Sequence, residues 1–178
     1  LLFLARGDSE TIQLHKEILD VSDILDEIAK EAKLIDKNHR FKMDLARPAY
    51  IYGDRQLLKQ AVRILTDNSI KYTPQGDEIF FRVIQRDKYT HIIVQDSGIG
   101  IKPEDIPNIC NRFYRSDESR ARETGGSGLG LSIAKWIIER HGAHFEILSR
   151  VGIGTRITIT FAASEKDMKA STAGNPLC

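Results

Sequence analysis

The sequence has little cysteine. Cys110 and Cys178 are the only two, one mid-chain and one at the last position, and they make no disulfide framework. A reducing compartment is the simpler expectation. Long apolar runs are also lacking. None approaches the roughly 20 residues a membrane helix needs. The opening Leu1-Leu2-Phe3-Leu4 ends at Arg6 and Asp8, without the basic start and long apolar middle of a signal peptide. Charge of one sign is missing too: 26 Lys and Arg stand against 25 Asp and Glu, a formal charge of +1. That balance removes the electrostatic footprint of a nucleic-acid binder. There is no Met at the start, so the sequence reads as a piece of something longer.

What is present fits a soluble globular domain: 41% hydrophobic and 29% charged residues over 178 positions. A chain of this length hides roughly 70% of its unfolded surface, enough for a core without staples. The length suits one domain with appendages.

Leu1 to Arg6 reads as the tail of a helix, broken at Gly7-Asp8-Ser9. Ile12 to Leu19 alternates loosely, as a strand does. Ser22 is a plausible N-cap for an amphipathic helix carrying Ile24, Leu25, Ile28, Ala32 and Ile35 at helical spacing and ending near Asn38. Phe41 to Leu45 and Tyr50 to Tyr52 read as strands. Asp54 then caps a long helix through Tyr72, closed by Thr73-Pro74 and Gly76. Ile79 to Gln85 and His91 to Gln95 form a hairpin across the polar stretch Arg86 to Tyr89. Leu129 to Arg140 is helical and stops at Gly142. Phe145 to Leu148 and Ile157 to Phe161 flank a Gly152/Gly154 turn. Mixed helices and sequence-adjacent strands predict an α/β sandwich with a mixed sheet and helices on one face.

Three features carry chemistry. On the helix from Asp54, Asn68 falls on the apolar stripe of Leu57, Leu58, Ala61, Ile64 and Leu65. A buried-side amide needs partners or costs about 1–3 kcal/mol. Lys71 and Tyr72 follow on the same face, so an amide, an ammonium and a ring converge as a metal ion, a phosphate chain and a base require. The plainer alternative is an amide bonded to a neighbouring loop. Second, Asp96-Ser97-Gly98-Ile99-Gly100-Ile101 follows a strand, placing a carboxylate before two glycines that let a flat ligand approach the backbone. A simple Asp-x-Gly turn is the alternative. Third, Gly125-Gly126-Ser127-Gly128-Leu129-Gly130-Leu131 opens a helix, where free N–H groups and the helix dipole make an anion site. A hinge is the weaker alternative. It is neither a P-loop nor a dinucleotide fingerprint: no Gly-Lys-Ser/Thr follows, and position 131 is Leu.

The order and spacing of these motifs together resemble one family, the catalytic ATP-binding domain of bacterial sensor histidine kinases, in the nucleotide-binding fold shared with gyrase, Hsp90 and MutL. The resemblance covers roughly Ser9 to Phe161. It implies a Bergerat-type two-layer α/β sandwich, a mainly antiparallel sheet on about three helices, and a flexible ATP lid over about 102–126. It divides the chain into the end of a dimerisation-domain helix with its linker (1–8), the catalytic domain (9–161) and a disordered tail (162–178).

By that resemblance Asn68 would hold Mg²⁺, Lys71 would meet the phosphates and Tyr72 would pack beside adenine. Asp96 would accept from the adenine amine, with Gly98, Gly100 and Ile101 shaping the pocket. Phe113 would anchor the lid, and Arg112 or Arg115 would reach the phosphates. Gly126, Ser127, Gly128, Leu129, Gly130 and Leu131 would close on the nucleotide, and Thr155 would lie near adenine. ATP and Mg²⁺ are the implied ligands. A His on a separate dimerisation domain is the implied acceptor, and a response regulator the next partner, in the cytoplasm or in the cytoplasmic part of a membrane-bound sensor.

Two departures stand out. Family members often carry a second Asn one turn before the metal ligand, and the ATPases a water-activating Glu; here that position is Ile64, which argues against efficient hydrolysis. No acceptor motif is present: His15 is followed by Lys16-Glu17-Ile18 and reads as a surface His in a strand. An ATP hydrolase of the same fold and a degenerate, non-enzymatic binding module are the rival readings. His141 and His144 have H-x-x-H spacing but lack further zinc ligands. Cys110 would need a lowered pKa to be reactive. The Arg residues near position 115 are offset by Asp117, Glu118 and Glu123, which disfavours nucleic acid.

Overall fold

The computed structural model describes residues 13–116 and 127–162. The expected N-terminal helix end, the C-terminal tail, and the lid residues 117–126, Gly126 among them, lie outside these.

Asp20 starts the first helix. Its carboxylate accepts from Ser22 N and from Ala49 N, both at 3.0 Å, satisfying one orphan donor and tying the helix start to the following strand. Ser22 is therefore not the cap: its hydroxyl is buried and donates to Ala46 O. Helix α1 spans Val21–Ile35 and buries Ile24, Leu25, Ile28 and Ala32 as the periodicity predicts. The stripe ends earlier than expected. Asp36 caps the helix, and Ile35 is 86% exposed.

Strand β1 is only Glu17–Asp20, so His15 precedes it rather than lying in it. It pairs antiparallel with β3 (Tyr50–Gly53) as a small separate sheet. The main sheet has five strands in the order β2-β4-β5-β7-β6: β2 Arg40–Leu45, β4 Glu78–Arg86, β5 Tyr89–Asp96, β6 His144–Arg150 and β7 Gly154–Ala162. Only β2–β4 is parallel; the other pairs are antiparallel. The parallel pair demands a crossover, and that crossover carries β3 and helix α2, Arg55–Tyr72. Asp54 caps α2 as expected, accepting from Gln56 N and Leu57 N at 3.1 Å. Helix α3, Gly130–Arg140, has no side-chain cap: Leu129 precedes it and leaves its first N–H groups to another acceptor.

The three helices of the described residues form one layer, with α2 packed between α1 and α3. Alternate residues of β4, β5 and β7 (Ile79, Phe81, Ile92, Val94, Ile159) are at most 2% exposed and belong to the core they share with Leu58, Leu65, Ile137 and Ile138. Each such side chain contributes roughly 1.5–3 kcal/mol of burial. The expected two-layer α/β sandwich with a mixed, mainly antiparallel sheet is what forms.

His141 joins three elements. It sits at the end of α3 and is 7% exposed. Its Nε2 accepts from Asp54 N at 3.0 Å and its Nδ1 donates to Ile137 O at 2.7 Å. Its ring meets Phe161 edge-on. His144 is exposed, so the two do not converge as a zinc pair. Among the described residues no group of three or more His, Cys, Asp and Glu is placed to hold a metal, and no helix is long and apolar enough to cross a membrane.

Candidate functional site

A cavity of about 450 Å³ opens between the last turns of α2, the end of β5, the start of α3 and residues 109–116. That volume lies in the range of small-molecule sites. Its floor is Asp96. At the end of β5, the carboxylate meets donors from its own following turn, from β7 and from α2. Oδ1 accepts from Gly98 N at 2.9 Å and Thr155 N at 3.1 Å. Oδ2 accepts from Ser69 Oγ at 3.2 Å. Burial pushes the Asp96 carboxyl up from its ordinary value, while these three donors oppose the shift by favouring the anion.

The glycines after Asp96 answer to backbone approach. A Cβ on Gly98 would lie 2.5 Å from Tyr72 O, and one on Gly100 would lie 2.1 Å from Arg150 O, with φ at +72°. Neither position admits a side chain without moving backbone. The turn is stitched to its neighbours: Ile99 N donates to Tyr72 O at 3.1 Å, Gly152 N to Ile99 O at 2.9 Å and Ile101 N to Ser149 Oγ at 2.8 Å. Ser149 in turn bonds Thr155 Oγ1 at 2.9 Å. The end of α2, the Asp96 turn and the β6–β7 hairpin therefore form one hydrogen-bonded wall.

Asn68, Lys71, Ser127, Gly128 and the start of α3 line the same cavity. A Cβ on Gly130 would come 3.2 Å from Ile64 Cγ2 and 4.0 Å from Asn68 Nδ2, so α3 begins against those two side chains. Lys71 Nζ lies 5.1 Å over the Tyr72 ring. Here an amide, an ammonium and an uncapped helix N-terminus face one space, a set that suits polyphosphate.

The cavity brings together most residues expected from the sequence: Asn68, Lys71, Tyr72, Asp96, Gly100, Ile101, Arg115, Ser127, Gly128, Gly130, Leu131 and Thr155 line it. Gly98 contributes its N–H behind the wall. Leu129 precedes α3 without lining the cavity. Of the two arginine alternatives only Arg115 lines it, Arg112 being exposed. Phe113 does not pack as an anchor; its ring is 72% exposed, its φ is +64°, and its backbone N donates to Gly128 O at 3.1 Å. The tie between Phe113 and Gly128 is thus main-chain. Tyr114 lines the cavity and donates to Asp105 Oδ1 at 2.6 Å. Burial pushes the Cys110 thiol up, opposite to the shift a reactive cysteine needs.

Ser69 was not singled out by motif or spacing, although it sits one residue beyond Asn68. A hydroxyl on the sheet side of a helix requires a partner, and that requirement is the signal that could have found it. Ile109, Ile147 and Ser149 (both of β6) and Ile157 (of β7) carry no local signature.

Comparison with known proteins agrees with this geometry. The sequence pattern of the histidine kinase-, DNA gyrase B- and HSP90-like ATPase family matches residues 53–165. The chain is 37% identical over 167 residues to the phosphate regulon sensor protein PhoR of Pseudomonas aeruginosa, covering 93% of this chain and 38% of that protein. It is 33% identical over 170 residues to the sensor histidine kinase WalK of Bacillus subtilis, covering 93% of this chain and 28% of that protein. It thus spans less than two fifths of either relative. Among solved structures, the mycobacterial sensor histidine kinase MprB superposes with a TM-score of 0.73 at 27% identity, covering 83% of this chain and 97% of that one. Full-length ShkA in complex with AMPPNP shares the fold, with a TM-score of 0.77 at 22% identity, covering 92% of this chain and 35% of that one. The chain belongs to the histidine kinase-, DNA gyrase B- and HSP90-like ATPase family, as a catalytic ATP-binding domain of the sensor histidine kinase kind.

Proposed function

We propose that this chain binds ATP with Mg²⁺ and delivers its γ-phosphoryl group to a histidine on a dimerisation domain, from which a response-regulator aspartate receives it. Residues 9–161 form the catalytic unit in this reading. The observation that carries it is Asp96, a carboxylate at the floor of a cavity of about 450 Å³ that still has acceptor capacity on Oδ2. An exocyclic amine satisfies it; a carbonyl at the same ring position repels it.

Tyr72 offers a flat face beside the base. Lys71, Arg115 and the start of α3 supply positive charge and free N–H groups for the phosphates. Asn68 suits Mg²⁺ because an amide oxygen is a hard ligand, and this ion keeps several waters and phosphate oxygens in its shell rather than requiring a cage of carboxylates. Bound there, Mg²⁺ would neutralise phosphate charge. The chain's own residues orient the phosphates and exclude water, which is most of what phosphoryl transfer asks of a protein. The imidazole nitrogen of the acceptor forms a bond to Pγ as the Pγ–O bond to ADP breaks.

Ile64 separates this reading from ATP hydrolysis. The side chain packs toward Gly130 where a hydrolase would present a carboxylate base. Calorimetric titration with ATP, with and without Mg²⁺ and with GTP as control, tests the binding step. Saturable, adenine-selective binding is expected; no binding by the folded chain would overturn the proposal in favour of the non-enzymatic module. Transfer is tested by adding a dimerisation domain and following labelled phosphate. Phosphate release into solvent, without phosphohistidine, would favour the hydrolase.

A further inference from the structure

The hydrogen-bond arithmetic at Asp96 points to the residue that follows Asn68. A carboxylate oxygen accepts two hydrogen bonds in its plane. Gly98 N and Thr155 N fill both places on Oδ1. Ser69 Oγ fills one on Oδ2 and leaves one. Ser69 is 5% exposed and lines the same cavity as Asp96.

We infer that Ser69 is a positioning residue for base selection, filling one of the two acceptor places on Asp96 Oδ2 so that the single place left open meets an exocyclic amine. The inference rests on the adenine reading of the pocket. Two N–H donors on Oδ1 set the plane of the carboxylate, and the Ser69 hydroxyl, delivered from α2, adds a third anchor on Oδ2. It also leaves one acceptor place where there would otherwise be two, so the site matches a single N–H of the base rather than a water pair. Asn68 and Ser69 are consecutive on α2, about 100° apart around the helix.

Ser69→Ala, Ser69→Cys and Ser69→Thr are each titrated with ATP and with purine riboside triphosphate, which lacks the exocyclic amine, and each variant's thermal unfolding is recorded. Ala and Cys remove the strong donor; Cys keeps the volume and Thr keeps the hydroxyl. Expected is an affinity loss of about tenfold for ATP in Ala and Cys, the scale of a hydrogen bond to a charged group. The affinity for purine riboside triphosphate is expected to stay unchanged, and Thr to bind ATP as the unmodified chain does. Equal losses for both nucleotides, or unchanged ATP affinity in Ala and Cys, would overturn the assignment while leaving the ATP pocket standing. Failure of the unmodified chain to bind ATP would remove the adenine reading itself, and this inference with it.

Discussion

Acidification should act on the fold through His141 before it acts on the pocket. The imidazole is buried in its neutral form with one tautomer specified: Nδ1 carries the proton for Ile137 O, and Nε2 must be bare to accept from Asp54 N. A second proton at Nε2 would point at an N–H. Burial holds the His141 pKa below its ordinary value, with Lys16 pushing the same way and Asp54 and the Ile137 carbonyl opposing. The unfolded chain therefore takes up a proton first as pH falls. Stability is complete above the unfolded histidine value of about 6.5 and declines below it until the folded value is passed. In that window one such group costs about 1.4 kcal/mol per pH unit. With a urea slope of about 1–3 kcal/mol per molar, the midpoint should drop by about 0.5–1.4 M per pH unit. The assay is urea unfolding at pH 7.5, 6.5 and 5.5 for the unmodified chain and for His141→Gln, whose side chain does not titrate. The measured quantity is the difference between the two slopes. His141→Gln should be less stable at pH 7.5 and should lose less on acidification. Parallel curves would refute the argument, because they would mean that His141 binds its proton equally in both states.

Other expectations follow from the same contacts. His39 has the opposite sign: its ring nitrogens lie 2.5 Å from Asp36 Oδ2 and 2.9 Å from Thr73 O, and these partners raise its pKa against its burial. Its stabilisation is complete below about pH 6.5 and fades as pH rises through the folded value, so His39→Gln should flatten the alkaline side of the stability profile. Asn68→Ala should remove the Mg²⁺ dependence of ATP binding while leaving the unfolding midpoint within about 0.5 kcal/mol of the original, read by paired titrations and urea curves; an unchanged metal effect would reject Asn68 as the ligand. Asp96→Asn should weaken ATP binding by about tenfold or more, since the amide can turn a donor toward the amine, and calorimetry would show it. Gly100→Ala should cost upwards of about 2 kcal/mol in urea unfolding, because a Cβ there meets Arg150 O at 2.1 Å with φ at +72°.

Legibility in the sequence followed the range of the interaction. Asp54 was readable as a cap because its partners, Gln56 N and Leu57 N, are two and three residues away. The amphipathic runs of α1 and α2 were readable because burial follows a period. Ser22 was misread because Asp20, two residues earlier, is the cap and accepts from Ser22 N itself, while the Ser22 hydroxyl donates to Ala46 O in a distant segment. Ile35 was misread because periodicity records which face would be buried, not where the neighbouring layer ends. The motif residues were readable as a set because they stand at fixed spacings. Ser69 and Ser149 carry no such signal, since each meets a partner 27 or 48 residues away. Phe113 was expected to pack through its ring, whereas its bond to Gly128 is main-chain.

The position of β7 has a consequence for how the chain is made. It is the last strand in the described sequence, yet it lies inside the sheet, between β5 and β6. Thr155 N, one of the two backbone groups that clamp Asp96 Oδ1, belongs to it. During synthesis from the N-terminus, both helices α1 and α2 and the β4–β5 hairpin leave the ribosome while the floor of the cavity still lacks that donor. A nascent chain halted before β7 carries Asn68, Lys71 and Asp96 but no finished base site. ATP would therefore be withheld from incomplete chains, and its binding during translation would mark the moment at which the sheet closes.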